Sequence, residues 1–342
     1  MSKFKSLALA VGLIASTALA GQVELKDGHP ESYVVKKGDT LWDISAMFLT
    51  DPWLWPEIWY VNPQVQNPHL IYPGDVLTLV YVNGQPQLQV DRGYQTVKLS
   101  PHARQEDLNS AIPTIPLDAI RQFLGRPLVV DDDQLKTAPY VVSSVGEHLI
   151  AGAGDGVYIR GIKDGAPKSY SFFRPGGQFV DPETHEVLGY EALYLGEGTL
   201  TRYGDPATAG LSRTTREINI GDRALPVSEE DSYPHFTPHP APSNINGRII
   251  SVLDGVSQIG QYQVVVINRG AREGLDVGAV MAVNKAGEVI RDQVTPPRND
   301  TVRLPEERAG VMMAFRVFNK VSYGLIMKAT QAIHVGDMVS EP

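Results

Sequence analysis

Residues 33–81 read YVVKKGDTLWDISAMFLTDPWLWPEIWYVNPQVQNPHLIYPGDVLTLVY. All the tryptophans of the 342-residue chain lie within this stretch, at Trp42, Trp53, Trp55 and Trp59. The β-branched and aromatic residues 33–35 predict a short strand. A turn follows at residues 37–40 and ends on Asp39 and Thr40, two residue types that cap helices. The stretch therefore begins as a strand that leads into a helix.

The rest of the stretch predicts a second helix and a second strand. Apolar residues keep helical spacing from Leu41 to Leu49, and Pro52 ends the pattern because proline disfavours a helical residue before it. A second helix fits residues 53–60, and the turn at residues 72–75 leads into a strand at residues 76–80. The predicted order is strand, helix, helix, strand.

This stretch resembles a LysM domain, whose pattern is Y-x-V-x-x-G-D-T-L-W-x-I, followed by N and then by I-x-P-G-x-x-L. The matching residues are Tyr33, Val35, Gly38, Asp39, Thr40, Leu41, Trp42, Ile44, Asn62, Ile71, Pro73, Gly74 and Leu77. The resemblance implies a βααβ fold that binds N-acetylglucosamine-containing glycans, such as peptidoglycan or chitin, without cleaving them. The insert DPWLWPEIW departs from the common pattern because it is richer in tryptophan.

The resemblance also implies where the glycan lies. In the family, the sugar sits between the loop after the first strand and the loop before the second strand. Carried over by position, the predicted glycan-binding residues are Gly38, Asp39, Thr40, Leu41, Asn67, Pro68, His69, Leu70, Ile71 and Tyr72. For Asp39 and Thr40, helix capping alone is an equal alternative, because one residue can do both.

The tryptophans have a structural interpretation of their own. A domain of about 50 residues without disulfides or metal buries little apolar surface, so each large indole ring in its core adds substantially to its stability. Trp42 and Trp59 are predicted to be core residues. Trp53 and Trp55 are two positions apart and cannot share one helical face. One of these two is therefore predicted to be an exposed platform that contacts sugar or packs on the next domain.

The amino terminus has the features of a secretory signal peptide. Lys3 and Lys5 precede an apolar run, and Ala18 to Ala20 form a small-residue cleavage site. The predicted signal peptide is residues 1–20, with cleavage near Ala20–Gly21. The apolar run is shorter than the roughly 20 residues that a membrane span needs. We therefore expect export to the periplasm without a membrane span.

Composition excludes several classes of protein. The chain has no cysteine, which excludes disulfides, lipid attachment through cysteine and thiol catalysis. Its formal net charge is −9, and loss of Lys3 and Lys5 would make it more negative. An acidic surface argues against nucleic acid as a partner, since lysine and arginine supply most of that binding energy.

The remaining chain predicts a multidomain, mainly β protein. Short β-type runs recur between turns in two regions, which suits small sandwiches or barrels. The predicted domains are a LysM domain at 31–82, a connector with a short helix at 83–136, a middle β domain at 137–227, a proline-rich linker at 228–246 and a carboxyl-terminal β domain at 247–342. The helix of the connector is predicted at residues 117–124. Within the middle domain, separate strands are predicted at residues 187–195, 198–203 and 212–220.

A repeated motif relates the two β domains. Residues 215–222, TREINIGD, match residues 330–337, TQAIHVGD, at the threonine, the isoleucine, the next aliphatic residue and the Gly-Asp pair. We interpret the two regions as related β domains. The alternative is that Gly-Asp pairs recur by chance where strands end.

No catalytic or metal-binding pattern stands out. A glycoside hydrolase needs two carboxylates at a set distance, and none of the 39 acidic residues is distinguished by its context. Zinc peptidases need a tight histidine set, yet the sequence contains no His-x-His pattern. The triplet Asp131–Asp133 is expected to form a turn or helix cap, because adjacent aspartates point in different directions.

The sequence therefore predicts a non-enzymatic, exported protein without cofactor or metal. Its LysM domain would bind peptidoglycan glycan strands, and its β domains would contact an unknown envelope protein. Two alternatives stay open at this point: a cell-wall hydrolase or its accessory, with LysM as targeting module, and a structural component of an envelope assembly.

Overall fold

The computed structural model describes residues 23–59, 71–91, 112–117, 119–120, 129–130, 132–146, 150–163, 165–227, 236–253, 258–287, 289–292 and 300–342. The predicted signal peptide, residues 1–20, lies outside these ranges. Over the described ranges, no helix combines the length and apolar character that crossing a bilayer would require.

The amino-terminal domain has the predicted βααβ order. Its elements are β1 (Ser32–Val34), α1 (Leu41–Phe48), a 3-10 turn (Pro52–Leu54), α2 (Trp55–Trp59), β2 (Val76–Val82) and β3 (Gln85–Asp91). β2 pairs antiparallel with both β1 and β3. Asn83 and Gly84 connect β2 to β3 with positive φ angles of 53° and 80°, as a tight hairpin turn requires. The predicted second helix is in fact a 3-10 turn followed by a short α-helix.

The middle domain is a closed six-stranded barrel. Its strands are β5 (Tyr140–Ser144), β6 (Gly156–Arg160), β7 (Ser169–Val180), β8 (Val187–Arg202), β9 (Ala207–Thr214) and β10 (Arg223–Pro226). They pair in the ring order β7-β8-β9-β6-β5-β10, and β10 closes the ring on β7. The short β4 (Val129–Val130) joins the outside of β8, after which α3 (Asp132–Thr137) leads into the barrel.

The carboxyl-terminal domain is a second barrel. Its ring strands are β12 (Asn246–Val252), β13 (Val264–Ile267), β14 (Ala279–Lys285), β17 (Glu307–Val317), β18 (Ser322–Ala329) and β19 (Met338–Ser340). They pair in the order β14-β17-β18-β13-β12-β19, and β19 closes on β14. Outside the ring lie β11 (His239–Pro240), which pairs parallel with β14, and a hairpin of β15 (Val289–Arg291) and β16 (Thr301–Arg303).

The two barrels have the same topology. Numbered along the chain, the ring strands of each barrel follow the order third, fourth, fifth, second, first, sixth. The prediction of a mainly β protein with two related β domains is therefore confirmed, and both domains are barrels.

The repeated motif makes the same hydrogen bonds in both barrels. The backbone N–H groups of Thr215 and Thr330 donate to the carbonyls of Leu195 and Ala309, at 2.7 and 2.8 Å. Both threonine hydroxyls donate to these same carbonyls, at 3.2 and 3.0 Å. The first residue of the motif is therefore fixed by the same pair of hydrogen bonds in each barrel.

The Gly-Asp pair closes the same turn in both barrels. Asn219 N–H donates to Asp222 Oδ2 at 2.7 Å, and His334 N–H donates to Asp337 Oδ2 at 2.8 Å. The glycine before each aspartate has a left-handed backbone, with φ of 91° and 100°. The shared strand order, with the motif before the last strand of each ring, favours related domains over chance recurrence of the motif.

Two strand predictions in the middle domain are wrong. The strands predicted at 187–195 and 198–203 are one strand, β8, which runs from Val187 to Arg202, although Gly196 and Gly198 suggest a break. A Cβ at Gly196 would lie 2.4 Å from the Arg213 carbonyl, so glycine here permits close strand approach. The predicted strand at 212–220 ends at Thr214, and beyond it Ile218 makes only an isolated bridge to Ala151.

The predicted linker is partly built into the last barrel. Residues 228–235 lie outside the described ranges, whereas Phe236, Ala241 and Ile245 are buried. β11 within this segment pairs with β14. Pro240 is tolerated here because β11 is an edge strand. A proline there lacks an N–H, but no neighbouring strand needs that N–H as a hydrogen-bond donor. The other predicted domain boundaries remain predictions.

Only parts of the predicted connector are described. Residues 117, 119 and 120 of the predicted helix are helical, and its remaining residues, like Asp131, lie outside the described ranges. Asp132 and Asp133 begin α3. At the start of the connector, β3 ends at Asp91, and residues 92–111 lie outside the described ranges.

A buried carboxylate joins the two barrels. Asp181 lies in the turn between β7 and β8 and is only 3 % exposed. It accepts hydrogen bonds from the N–H groups of Glu183 and Thr184, both at 2.9 Å, and from Asn268 Nδ2 of the other barrel at 2.7 Å. Burial alone would raise the pKa of Asp181, but these hydrogen bonds lower it to about 2.

Ion pairs surround this contact. Glu186 accepts from Arg272 at 2.9 and 3.0 Å, and Lys320 Nζ lies 2.8 Å from the same carboxylate. These two cations lower the pKa of Glu186 to about 2. Glu183 pairs with Arg248 at 2.8 Å. The acidic β7–β8 turn of the middle barrel therefore binds a basic surface of the last barrel.

We expect the contact between the barrels to weaken in acid. Because the folded state lowers both pKa values, Asp181 and Glu186 stabilise it fully above their ordinary values of 3.8 and 4.5, and this stabilisation is lost as the pH falls towards about 2. Urea midpoints measured across this window check the expectation. As the pH falls, the urea midpoint of Glu186→Gln should decrease less than that of wild type. Equal decreases in the two proteins would contradict the role of Glu186 in the barrel contact.

Candidate functional site

The first predicted loop is a tight turn closed by Asp39. Lys36 N–H donates to Asp39 Oδ2 at 2.8 Å, and the Tyr33 hydroxyl donates to the same oxygen at 2.9 Å. Gly38 has a φ of 96°, which favours glycine. Partial burial and the hydrogen bond to Asp39 raise the pKa of Tyr33. Asp39 therefore shapes the loop and does not cap the helix.

Helix α1 is capped by Thr40. Asp43 N–H donates to Thr40 Oγ1 at 3.1 Å, and the threonine hydroxyl donates to Asp43 Oδ2 at 2.8 Å. The cap leaves the N–H groups of Leu41 and Trp42 without partners inside the helix. These two backbone donors therefore face the place where the resemblance puts the sugar.

The second predicted loop ends in the same kind of turn. Tyr72 N–H donates to Asp75 Oδ2 at 3.0 Å, and Gly74 has a φ of 99°. Val35 joins this turn to β1, because its N–H donates to the Asp75 carbonyl at 2.9 Å and its carbonyl accepts from Gly74 N–H at 2.8 Å. The two turns are thereby held side by side, next to the buried Ile71.

Six of the ten predicted site residues can be placed: Gly38, Asp39, Thr40, Leu41, Ile71 and Tyr72. The other four, Asn67, Pro68, His69 and Leu70, lie outside the described ranges. Their role in binding stays a prediction. We call the strip between residues 38–41 and residues 71–72 the groove.

Residues 112–116, with the sequence IPTIP, lie along the groove. Ile112 N–H donates to the Ile71 carbonyl at 2.8 Å. Leu41 N–H donates to the Pro113 carbonyl at 3.0 Å, and Trp42 N–H donates to the Thr114 carbonyl at 3.1 Å. One segment therefore bridges both walls of the groove.

Sequence reasoning missed this segment and treated it as part of the connector. A usable signal was present, because two isoleucines alternate with prolines in an otherwise mixed stretch. Proline favours extended chain at and before its position, and apolar side chains in extended chain need a surface to cover. Nothing in that pattern identifies which surface is covered.

The tryptophans lie inside the protein. All four indoles are buried, so neither Trp53 nor Trp55 is exposed to sugar, and of the two predicted roles only packing on the next domain agrees with the structure, at Trp53. The rings form two pairs, Trp42 with Trp53 and Trp55 with Trp59, each with centroids 6.4 Å apart. The small domain uses every large aromatic ring for its core, as its size requires.

The Trp53 side of the domain contacts the last barrel. The Arg308 guanidinium lies 6.0 Å from the centroid of the Trp53 ring. The Tyr262 hydroxyl donates to Asp43 Oδ1 at 3.2 Å, from a backbone with a φ of 64°. A cleft of about 750 Å³ lies between α1 and strands β17 and β18. The tryptophan insert therefore serves domain contact.

No metal site emerges from the described part of the chain. Within it, no group of three or more histidine, aspartate or glutamate side chains is placed to hold an ion. His235 lies outside the described ranges. His239 Nε2 lies 3.3 Å from Asp276 Oδ1.

Comparison with known proteins identifies the amino-terminal domain. Residues 33–80 match the LysM domain family. A protein of Bacillus subtilis (strain 168), named uncharacterized protein YqbP, is 40 % identical over 60 residues, which are 15 % of this chain and 27 % of that protein. A LysM domain is a binding module and indicates recognition of peptidoglycan or other N-acetylglucosamine glycans. Such domains are typically extracellular or associated with the cell wall.

Proposed function

We propose that this protein is an exported, non-enzymatic peptidoglycan-binding protein of the cell envelope. Its LysM domain holds glycan strands in the groove, and its two barrels contact an envelope protein. The observation that carries the proposal is the convergence of backbone groups from residues 38–42 and 71–72 on one strip of a LysM domain.

The groove has the chemistry that an acetamido sugar needs. Leu41 N–H and Trp42 N–H are hydrogen-bond donors, and the Ile71 carbonyl is an acceptor on the opposite wall. An acetamido group carries one N–H and one carbonyl, so it matches donors and acceptors presented in this way. Backbone groups on a rigid scaffold recognise such a ligand without a charged side chain.

Polymer binding compensates for a shallow site. A groove that holds a few sugar units by backbone hydrogen bonds binds weakly, since each such bond contributes only about 0.5–1.5 kcal/mol. A glycan strand repeats the same unit many times, and rebinding along the strand raises retention. The proposed ligand is therefore the polymer.

The last barrel offers a surface for a protein partner. The hairpin of β15 and β16 carries the exposed apolar residues Val289, Ile290 and Val302. Exposed apolar side chains gathered on one hairpin are a common feature of protein interaction sites. The basic and apolar amino terminus supports the proposed export, as does the usual location of LysM domains.

Disrupting the first loop is expected to reduce binding to purified peptidoglycan sacculi by about 10-fold, or about 1.4 kcal/mol. The variant is Gly38→Ala with Asp39→Ala, which places a Cβ at a positive φ and removes the turn's acceptor. Co-sedimentation of the full chain with sacculi measures the effect.

A matched control exists within the same chain. Gly336→Ala with Asp337→Ala disrupts the same kind of turn in the last barrel, where glycine also has a positive φ. This control should bind sacculi like wild type. Equal recovery of all three proteins would contradict the groove assignment. Release of muropeptides by the wild type would contradict the non-enzymatic part of the proposal.

A further inference from the structure

We infer that residues 112–116 are an internal ligand of the LysM groove and that glycan must displace them to bind. This inference rests on the proposed function and adds a control mechanism to the same site. The motivating observation is that the segment already uses backbone groups from both groove walls, through hydrogen bonds of 2.8, 3.0 and 3.1 Å.

The segment and an acetamido sugar need the same atoms. Leu41 N–H and Trp42 N–H each have one hydrogen to donate, and both donate to carbonyls of the segment. The Ile71 carbonyl accepts from Ile112 N–H on the other wall. Because a donor hydrogen serves one good acceptor at a time, sugar and segment exclude each other at these positions.

Side chains hold the segment in place. Ile112, Thr114 and Ile115 are buried, with Ile115 at 0 % exposure. Proline at positions 113 and 116 favours extended chain and has no N–H that would need a partner in the groove. The segment therefore presents carbonyls to the α1 donors while its isoleucines cover the apolar surface beside them.

When residues 112–116 occupy the groove, the apparent affinity for glycan falls, but the glycan site itself is kept. When only a fraction of molecules has an open groove, the apparent dissociation constant rises by the inverse of that fraction. A glycan polymer still binds, because its binding free energy shifts the population towards the open form. The LysM domain would then bind dense peptidoglycan at lower concentration than isolated sugar fragments, which open the groove only when present in excess.

The test compares full-length wild type with Ile115→Ala in co-sedimentation with purified sacculi. Truncating Ile115 weakens the segment's anchor, so the open fraction rises and the apparent affinity should increase by about 10-fold. Ile333→Ala is the matched control, because Ile333 is also at 0 % exposure but lies in the last barrel. The control should bind like wild type.

Hydrogen exchange gives a second measurement that needs no variant. Adding a soluble chitin oligosaccharide to the wild type should speed exchange of the Ile112 amide, because its acceptor on Ile71 is lost when the segment leaves. The barrel strands should keep their protection, which shows that the chain stays folded.

The outcomes separate the inference from the proposed function. Wild type and Ile115→Ala that bind sacculi equally, or glycan binding with unchanged Ile112 protection, would overturn the inference and leave the proposed function standing. Weaker binding by folded Ile115→Ala would also overturn it, because the segment would then be part of the glycan site. Failure of every protein to bind would overturn the proposed function and the inference together.

Discussion

Replacing Trp55 by alanine is expected to destabilise the LysM domain by about 3–5 kcal/mol. The indole is 1 % exposed and meets Trp59 edge-on, with ring centroids 6.4 Å apart. Its removal loses buried apolar surface and leaves a cavity that a short helix cannot close. A domain of this size has little stability in reserve, so the variant should be largely unfolded near physiological temperature.

Tryptophan fluorescence during urea unfolding measures this effect on the LysM domain alone. All the tryptophans lie between residues 42 and 59, so the three that remain in the variant still report on that domain. Tyr81→Ala is the control, because Tyr81 is 63 % exposed and its loss should change stability by no more than about 0.5 kcal/mol. An unchanged transition in Trp55→Ala would show that the indole is not a core residue.

Replacing Asp181 by alanine is expected to cost about 2–4 kcal/mol of barrel stability. The substitution leaves the Glu183 and Thr184 N–H groups and Asn268 Nδ2 without the acceptor that they share. Of these donors, Asn268 Nδ2 is buried, and a buried donor without an acceptor is expensive because it has also lost water. Calorimetric unfolding of the full chain measures the loss.

An exposed aspartate in the last barrel serves as the control. The Asp276 side chain is 69 % exposed and pairs with His239 at 3.3 Å, so Asp276→Ala should cost about 0–1 kcal/mol. The double variant of Asp181 and Asn268 should lose less than the sum of the two single losses, since both remove one shared contact. Full additivity, or equal costs at Asp181 and Asp276, would contradict a joint role in the barrel contact.

The last barrel contacts both the middle barrel and the LysM domain, so it connects the barrel contact to the domain that carries the groove. Tyr262 and Arg308 of that barrel meet Asp43 and Trp53 of the LysM domain. Tyr262 has a positive φ, where the matching turn of the middle barrel has Gly154 with a φ of 93°. A tyrosine backbone is strained at a positive φ. The hydrogen bond from the Tyr262 hydroxyl to Asp43 gives a physical reason why tyrosine, and not glycine, occupies this position.

Local patterns in the sequence were sufficient for the first loop and for the barrel motif. Thr40 follows a Gly-Asp turn and precedes helical spacing, so its capping role could be predicted. The motif ending in Gly221–Asp222 recurs at Gly336–Asp337 because both turns need a left-handed residue and a side-chain acceptor. Such features depend on residues a few positions apart.

Other predictions failed because contacts distant in sequence decided them. Gly196 suggests a break in a strand, yet it lies inside β8 where another strand approaches closely. Trp53 was open to sugar contact or domain packing from its spacing alone, and its burial beneath Arg308 of the last barrel leaves only domain packing. In both cases a neighbour far along the chain changed the meaning of the residue.

The sequence by itself determined the LysM domain and the mainly β character of the rest, and its repeated motif suggested that the two β domains are related. Spacing, turn chemistry and a repeated motif are local properties, and each has a local physical cause. Only the tertiary structure decided that residues 112–116 lie in the groove and that Asp181 joins the barrels. Those contacts depend on which surfaces meet when distant segments fold together, and no local pattern contains that information.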